Sequence, residues 1–86
     1  ARIIYENLLK NAPNHPEILT NLGTIFLQTG KTLAGVELLN KSIKIDLNQP
    51  IALSNLGNGQ LELNNISEAI NVFLKSNQIL SFSTLA

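Results

Sequence analysis

The stretch TNLGTIFLQTG, Thr20 to Gly30, returns as SNLGNGQLELN, Ser54 to Asn64, with Asn-Leu-Gly in the same register. The shift that carries Gly23 to Gly57 is 34 residues, and it also carries Pro16 to Pro50, Asn21 to Asn55, Leu22 to Leu56 and Lys41 to Lys75. Five identities in one register mark an internal repeat. Around the first copy, Ile18, Leu19, Leu22, Ile25 and Phe26 recur at the three-and-four spacing of one helix face. Pro16 falls in the first turn, where a missing N–H does no harm, and Asn14 with Glu17 has the spacing of a capping box. Gly30 supplies a left-handed stop, and Asn64 can adopt the same conformation in the equivalent place. Thr32 is a candidate cap for the next helix, whose apolar set is Val36, Leu39 and Ile43, with Leu47 at its margin. Asn65 with Glu68 repeats the capping box ahead of Ile66, Ala69, Ile70, Phe73 and Leu74. About five helices are predicted, at roughly 2–11, 16–29, 32–46, 50–63 and 66–80, and the short turns between them force sequential helices antiparallel.

Composition removes other answers. A chain of 86 residues has room for one small domain. Six basic and six acidic residues sum to a formal charge of zero, with no run of either sign. That argues against nucleic acid or an anionic membrane surface as partner, since both need clustered Lys and Arg. There is no cysteine, so disulfides, thiolate metal sites and cysteine nucleophiles are excluded. No apolar run approaches a membrane span and the first residues lack the layout of a signal peptide, so the segment reads as soluble, with the cytoplasm the favoured compartment. The absence of methionine is what an internal segment of a longer chain would show.

A period of 34 is that of the tetratricopeptide repeat, a helix-turn-helix unit of the form W-x2-L-G-x2-Y, then A-x3-F, then P. This chain resembles that family over nearly its whole length. The unit at 16–49 has Leu19-x2-Leu22-Gly23-x2-Phe26, then Gly35-x3-Leu39, with Leu47 at the proline position. The unit at 50–83 has Leu53-x2-Leu56-Gly57-x2-Gln60, then Ala69-x3-Phe73, with Ser81 at the proline position. Ala1-x3-Tyr5, followed by Pro13, matches the back half of a preceding unit, so 1–15 reads as half a repeat and 84–86 as the possible opening of another. The resemblance implies an all-α fold of antiparallel helix-turn-helix repeats, stacked as a fragment of a right-handed solenoid. Gly35 in place of alanine, Gln60 in place of an aromatic and the missing prolines depart from the pattern without disturbing its register.

Gly23 and Gly57 lack side chains where a first helix meets its partner, so two backbones can approach there while Leu22 and Leu56 fill the shared core. Tyr5, Pro13, Ala69 and Phe73 complete the repeat-defining packing set. Glycine costs a helix about 0.5 to 1 kcal/mol relative to alanine, so its recurrence asks for a compensating contact. Gly59 has no counterpart, because Ile25 occupies its place, and Gly57-Asn58-Gly59 reads as a soft spot in the fourth helix. It is not a phosphate loop, since no strand precedes it.

Asn21 and Asn55 sit one residue before the core leucine, off the buried stripe, although asparagine is a mediocre helix former. Stacked repeats would set the two amides side by side, and amides that donate and accept can bind an extended peptide backbone whatever its side chains. The register is similar to that of the arrays of O-linked N-acetylglucosamine transferase and its relatives, where the resemblance implies asparagines lining a concave surface. The other reading is compositional: twelve asparagines and ten isoleucines form a general bias, and helix packing alone can use them. Helical spacing places Thr20, Thr24, Leu27 and Gln28, with Glu17, on the same inner face, joined from the second unit by Ser54, Asn58 and Leu61, with Ile51 and Glu62. No Lys or Arg is among them, which argues against the carboxylate clamp of the family's chaperone-binding subgroup and against the RNA groove of pentatricopeptide arrays.

Catalysis finds no constellation. His15, the sole histidine, stands in an inter-repeat turn and cannot anchor a metal cluster, and the carboxylates are scattered among different helices. The expectation is a non-enzymatic protein-interaction scaffold with no metal and no cofactor, holding a protein or peptide on its concave face. The alternative is a structural spacer or oligomerisation element of a larger protein, an enzymatic, glycosyltransferase-linked one being what the resemblance implies. The last helix, with Ile70, Val72, Ile79, Leu80, Phe82 and Leu85, carries more apolar side chains than one helix pair can cover. Continuation of the array or self-association through the end helices would cover them.

Overall fold

The computed structural model of the chain describes residues 14–85, with side chains to residue 80. The predicted helix at 2–11, and with it Tyr5 and Pro13, lies outside the described residues. Four α-helices follow one another: α1 (Pro16–Gln28), α2 (Thr32–Ile45), α3 (Pro50–Glu62) and α4 (Ile66–Leu85). Against the five or so expected, these are the four described ones, and no strand occurs among the described residues.

Prolines open α1 and α3, each in the first turn. Left-handed residues close them, Gly30 at φ 82° and Asn64 at φ 66°. The Lys31 N–H reaches back to the Phe26 carbonyl and the Asn65 N–H to the Gln60 carbonyl, both at 2.8 Å. These are the six-residue closures of a Schellman stop, made twice at the same repeat position. The predicted side-chain caps do not form. The N-cap of α1 is His15 and that of α2 is Lys31, neither with a side-chain bond. Pro16 already removes one orphan donor at α1. The Thr32 hydroxyl donates instead to Glu62 Oε2 at 2.8 Å, and the Asn65 amide donates to Gln60 Oε1 at 2.9 Å. α4 also runs past its expected end at 80 and through the expected start of a new unit at 84, because no Gly or Pro occurs after Gly59 to stop it.

Each helix packs on its successor, and α1 also comes close to α3, whereas among the described residues the backbones of α2 and α4 do not approach each other. The bundle is therefore drawn together on the α1/α3 side and spread on the α2/α4 side. The closeness of each pair is set by glycine. A Cβ added to Gly35 would lie 2.7 Å from the Gly23 carbonyl oxygen, and one added to Gly23 would lie 3.0 Å from Leu39 Cγ. In the second pair Gly57 lies under the Phe73 ring, where a Cβ would fall 2.6 Å from Cε1. Gly59 corrects the expectation of a soft spot. It is buried within a continuous helix, and a Cβ there would meet Val36 Cγ2 at 2.7 Å, so it is the point where α3 closes on α2.

Leu19, Leu22, Val36, Leu39, Leu53, Leu56, Ala69 and Val72 are buried, and Val36, Leu39, Ala52, Leu53, Leu56 and Val72 form one cluster running across the unit boundary. Each leucine contributes about 1.5 to 3 kcal/mol by leaving water. Inside this apolar set sit two buried hydroxyls one repeat apart, Ser42 and Ser76. Ser42 Oγ donates to the Pro16 carbonyl at 2.8 Å and meets Thr20 Oγ1 at 2.6 Å; Ser76 Oγ donates to the Pro50 carbonyl at 3.0 Å and meets Ser54 Oγ at 3.3 Å. The first site is more heavily bonded, because Gln49 Nε2 also donates to Ser42 Oγ at 3.0 Å.

Two outcomes are expected. Gly35→Ala should lower the unfolding free energy by about 1 to 2 kcal/mol in urea titration, the backbone overlap outweighing a helix-propensity gain of about 1 kcal/mol. A stabilised variant would show that the α1/α2 crossing is not set by this contact. Ser42→Ala should cost about 1 to 3 kcal/mol, and more than Ser76→Ala, since it strands a larger set of buried partners.

Candidate interaction groove

Because α1 and α3 run parallel on the drawn-together side, a valley lies along their seam. Three shallow depressions make it up. The first, about 310 Å³, lies between the start of α1 and the loop before α3 and is lined by His15, Pro16, Glu17, Thr20, Asn21, Asp46 and Gln49. The middle one, about 290 Å³, is lined by Thr20, Asn21, Thr24, Ile25, Ile51 and Asn55. The third, about 250 Å³, is lined by Thr24, Leu27, Gln28, Asn55, Asn58 and Glu62. Thr20 and Asn21 are shared by the first two, and Thr24 and Asn55 by the last two, so the depressions form one track.

Both repeated asparagines are half-buried and both line the middle depression. They are not directly abreast. The Asn55 amide donates to Thr24 Oγ1 at 3.3 Å, and that hydroxyl donates on to the Thr20 carbonyl at 2.8 Å. Asn55 is thus level with Thr24, nearly one turn past Asn21, because α3 is staggered along α1. Asn55 keeps its carbonyl oxygen and one N–H unengaged, and the Asn21 amide makes no hydrogen bond among the described residues. Together they present donors and acceptors in the pairing that a peptide unit requires.

The other expected inner-face residues divide. Gln28 and Asn58 are exposed along the third depression. Thr20 lines the track but turns its hydroxyl to Ser42 and to Gln49 Oε1, at 2.8 Å for the latter. Ser54 is drawn away to Ser76 and lines none of the three. Leu27 lines the third depression while packing beside Gly35 and Gly59, so its body belongs to the core. Leu61 is 47% exposed and lies outside the track. Of the packing set, Leu22, Gly23, Leu56 and Gly57 are buried at the helix crossings, Ala69 is fully buried, and Phe73 is half-buried over Gly57.

Reading the repeat alone missed Asp46 and Gln49. They come from the loop ahead of Pro50, and only the stagger of α3 brings that loop to the mouth of the valley. Ser42 and Ser76 were legible in principle, since they share the 34-residue shift of the neighbouring Lys41 and Lys75. Among the described residues no lysine lines the track: Lys41, Lys44 and Lys75 are exposed on α2 and α4, and Lys31 lies over the Phe26 ring, 5.7 Å from its centre. Among the described residues no group of three or more His, Cys, Asp or Glu side chains could hold a metal ion, and no helix is long and apolar enough to cross a membrane. No protein-family model matches this chain, and no curated protein matches it.

Proposed function

We propose that the chain is a tetratricopeptide-type helical repeat acting as a protein-interaction scaffold, which holds an extended peptide along the α1/α3 valley and carries no catalytic activity of its own. One observation carries the reading: Asn21 and Asn55, from successive units, converge on one depression with amide groups left to bond elsewhere. The stagger suits an extended ligand, because the two amides then meet successive peptide units along its length. Thr24, Gln28 and Asn58 add polar contacts, and Ile25 and the exposed Ile51 add apolar lining.

The reading of the chain as an assembly element has its own support. Ile66, Ile70 and Leu74 are exposed by 53 to 56% in a row along α4, while Val36, which stands where Ile70 stands one unit earlier, is 4% exposed beneath α3.

The two are separable. Peptides selected by the wild-type chain from a random-sequence array should bind Asn21→Ala and Asn55→Ala about twofold to tenfold more weakly each, as expected for one net hydrogen bond. The unfolding midpoint should move by no more than about 0.5 kcal/mol equivalent. Lost stability with unchanged binding would return the asparagines to a packing role. For the assembly reading, light scattering over a concentration series should show association that Ile70→Glu abolishes; a monomer at every concentration removes it.

A further inference from the structure

The valley carries carboxylates at both ends and, among the described residues, no lysine between them. Glu17 and Asp46 line the first depression and Glu62 the last. None of the three forms an ion pair among the described residues. Their present bonds are slight: Asp46 Oδ1 accepts the Asn48 N–H at 3.0 Å and Glu62 Oε2 accepts the Thr32 hydroxyl, so each keeps lone pairs facing solvent. The chain as a whole is neutral, so this separation of charge is local, with the described lysines on other surfaces.

The Asn55–Thr24 contact gives the spacing. Glu17 lies seven residues before Thr24 on α1 and Glu62 seven residues after Asn55 on α3. At a rise of about 1.5 Å per residue the carboxylates stand about 21 Å apart along the valley, and about 9 Å across it. An extended chain advances about 3.3 Å per residue, so the gap of about 23 Å corresponds to about six or seven residues.

We propose that the peptide taken by this valley is basic, carrying Lys or Arg side chains about six residues apart, one against Glu17 and Asp46 and the other against Glu62. The inference rests on the groove reading above and adds the partner's chemistry to it. The central amides hold backbone, which is common to all peptides, so the terminal carboxylates supply the discrimination. Like charges would be repelled at both ends, and a neutral peptide would leave both carboxylates in water.

The test titrates the full chain with fluorescent synthetic peptides made of a Ser/Thr/Gly spacer of about six residues, set by the extended rise, and flanked by Lys, Gln or Glu at both ends. Exposed ion pairs contribute about twofold to fivefold each, so the Lys-flanked peptide should bind about tenfold tighter than the Gln-flanked one, and the Glu-flanked one weakest. Raising the salt from about 0.1 M to about 1 M should erase the preference as the screening length falls from about 10 Å to about 3 Å. The triple variant Glu17→Gln, Asp46→Asn, Glu62→Gln, checked for its helical circular dichroism, should lose the preference as well. Halving the spacer should leave only the gain of a single pair. Equal binding of Lys- and Gln-flanked peptides, or a preference that survives in the folded triple variant, overturns the basic-partner inference and leaves the groove reading standing. Binding of no peptide of any charge overturns the groove reading itself.

Discussion

The close crossing of α1 on α2 at Gly23 and Gly35 is the constraint from which the other geometry follows. Two backbones can meet there because neither residue has a Cβ, and the Gly23 carbonyl occupies the space that a side chain at residue 35 would need. With the crossing that tight, Leu19, Leu22 and Leu39 are buried, and Ser42 comes within reach of the Pro16 carbonyl. The second unit makes its close approach by different means. Ala69 stands where Gly35 stands, and the approach is made by the Phe73 ring lying on Gly57. The two units therefore share a glycine-dependent close approach while exchanging a backbone contact for an aromatic one.

Gly59 extends the same principle to the boundary between units. Its missing side chain admits Val36 and Leu27, which lets α3 settle against both α2 and α1. The valley depends on that settlement. Were α3 held off by a side chain at residue 59, the Asn55–Thr24 bond would open, and the depression shared by Asn21 and Asn55 would widen. A glycine that weakens its own helix by about 1 kcal/mol thus contributes to packing between helices, where buried apolar contact outweighs the local cost.

How far these features were legible in the sequence depended on how local their causes are. Sequence signals located α1, α2, α3 and the start of α4 to within a residue, and the left-handed stops at Gly30 and Asn64 were readable because backbone sterics at one residue decide them. The side-chain caps were misread because capping competes with other partners: Thr32 is claimed by Glu62, thirty residues on in another helix, and Asn65 by Gln60, in the last turn of the preceding helix. Gly59 was misread for the same reason, its explanation lying in Val36 on another helix. The asparagine face was readable as a face, but not the stagger that sets Asn55 against Thr24 and brings Asp46 and Gln49 to the valley mouth.

That stagger also decides what kind of surface the valley can be. Had Asn21 and Asn55 lain abreast, their amides would have satisfied each other, leaving a closed pair with little to offer a ligand. Offset by nearly a turn, Asn55 instead spends one N–H on Thr24, whose own proton is already committed to the Thr20 carbonyl. The relay runs in one direction and leaves the asparagine oxygens free. Buried polar groups in this chain are paired, as the complete satisfaction of the buried side-chain atoms among the described residues shows. Against that background, the half-buried amides of Asn21 and Asn55 stand out as polar groups with unused bonding capacity along a continuous track.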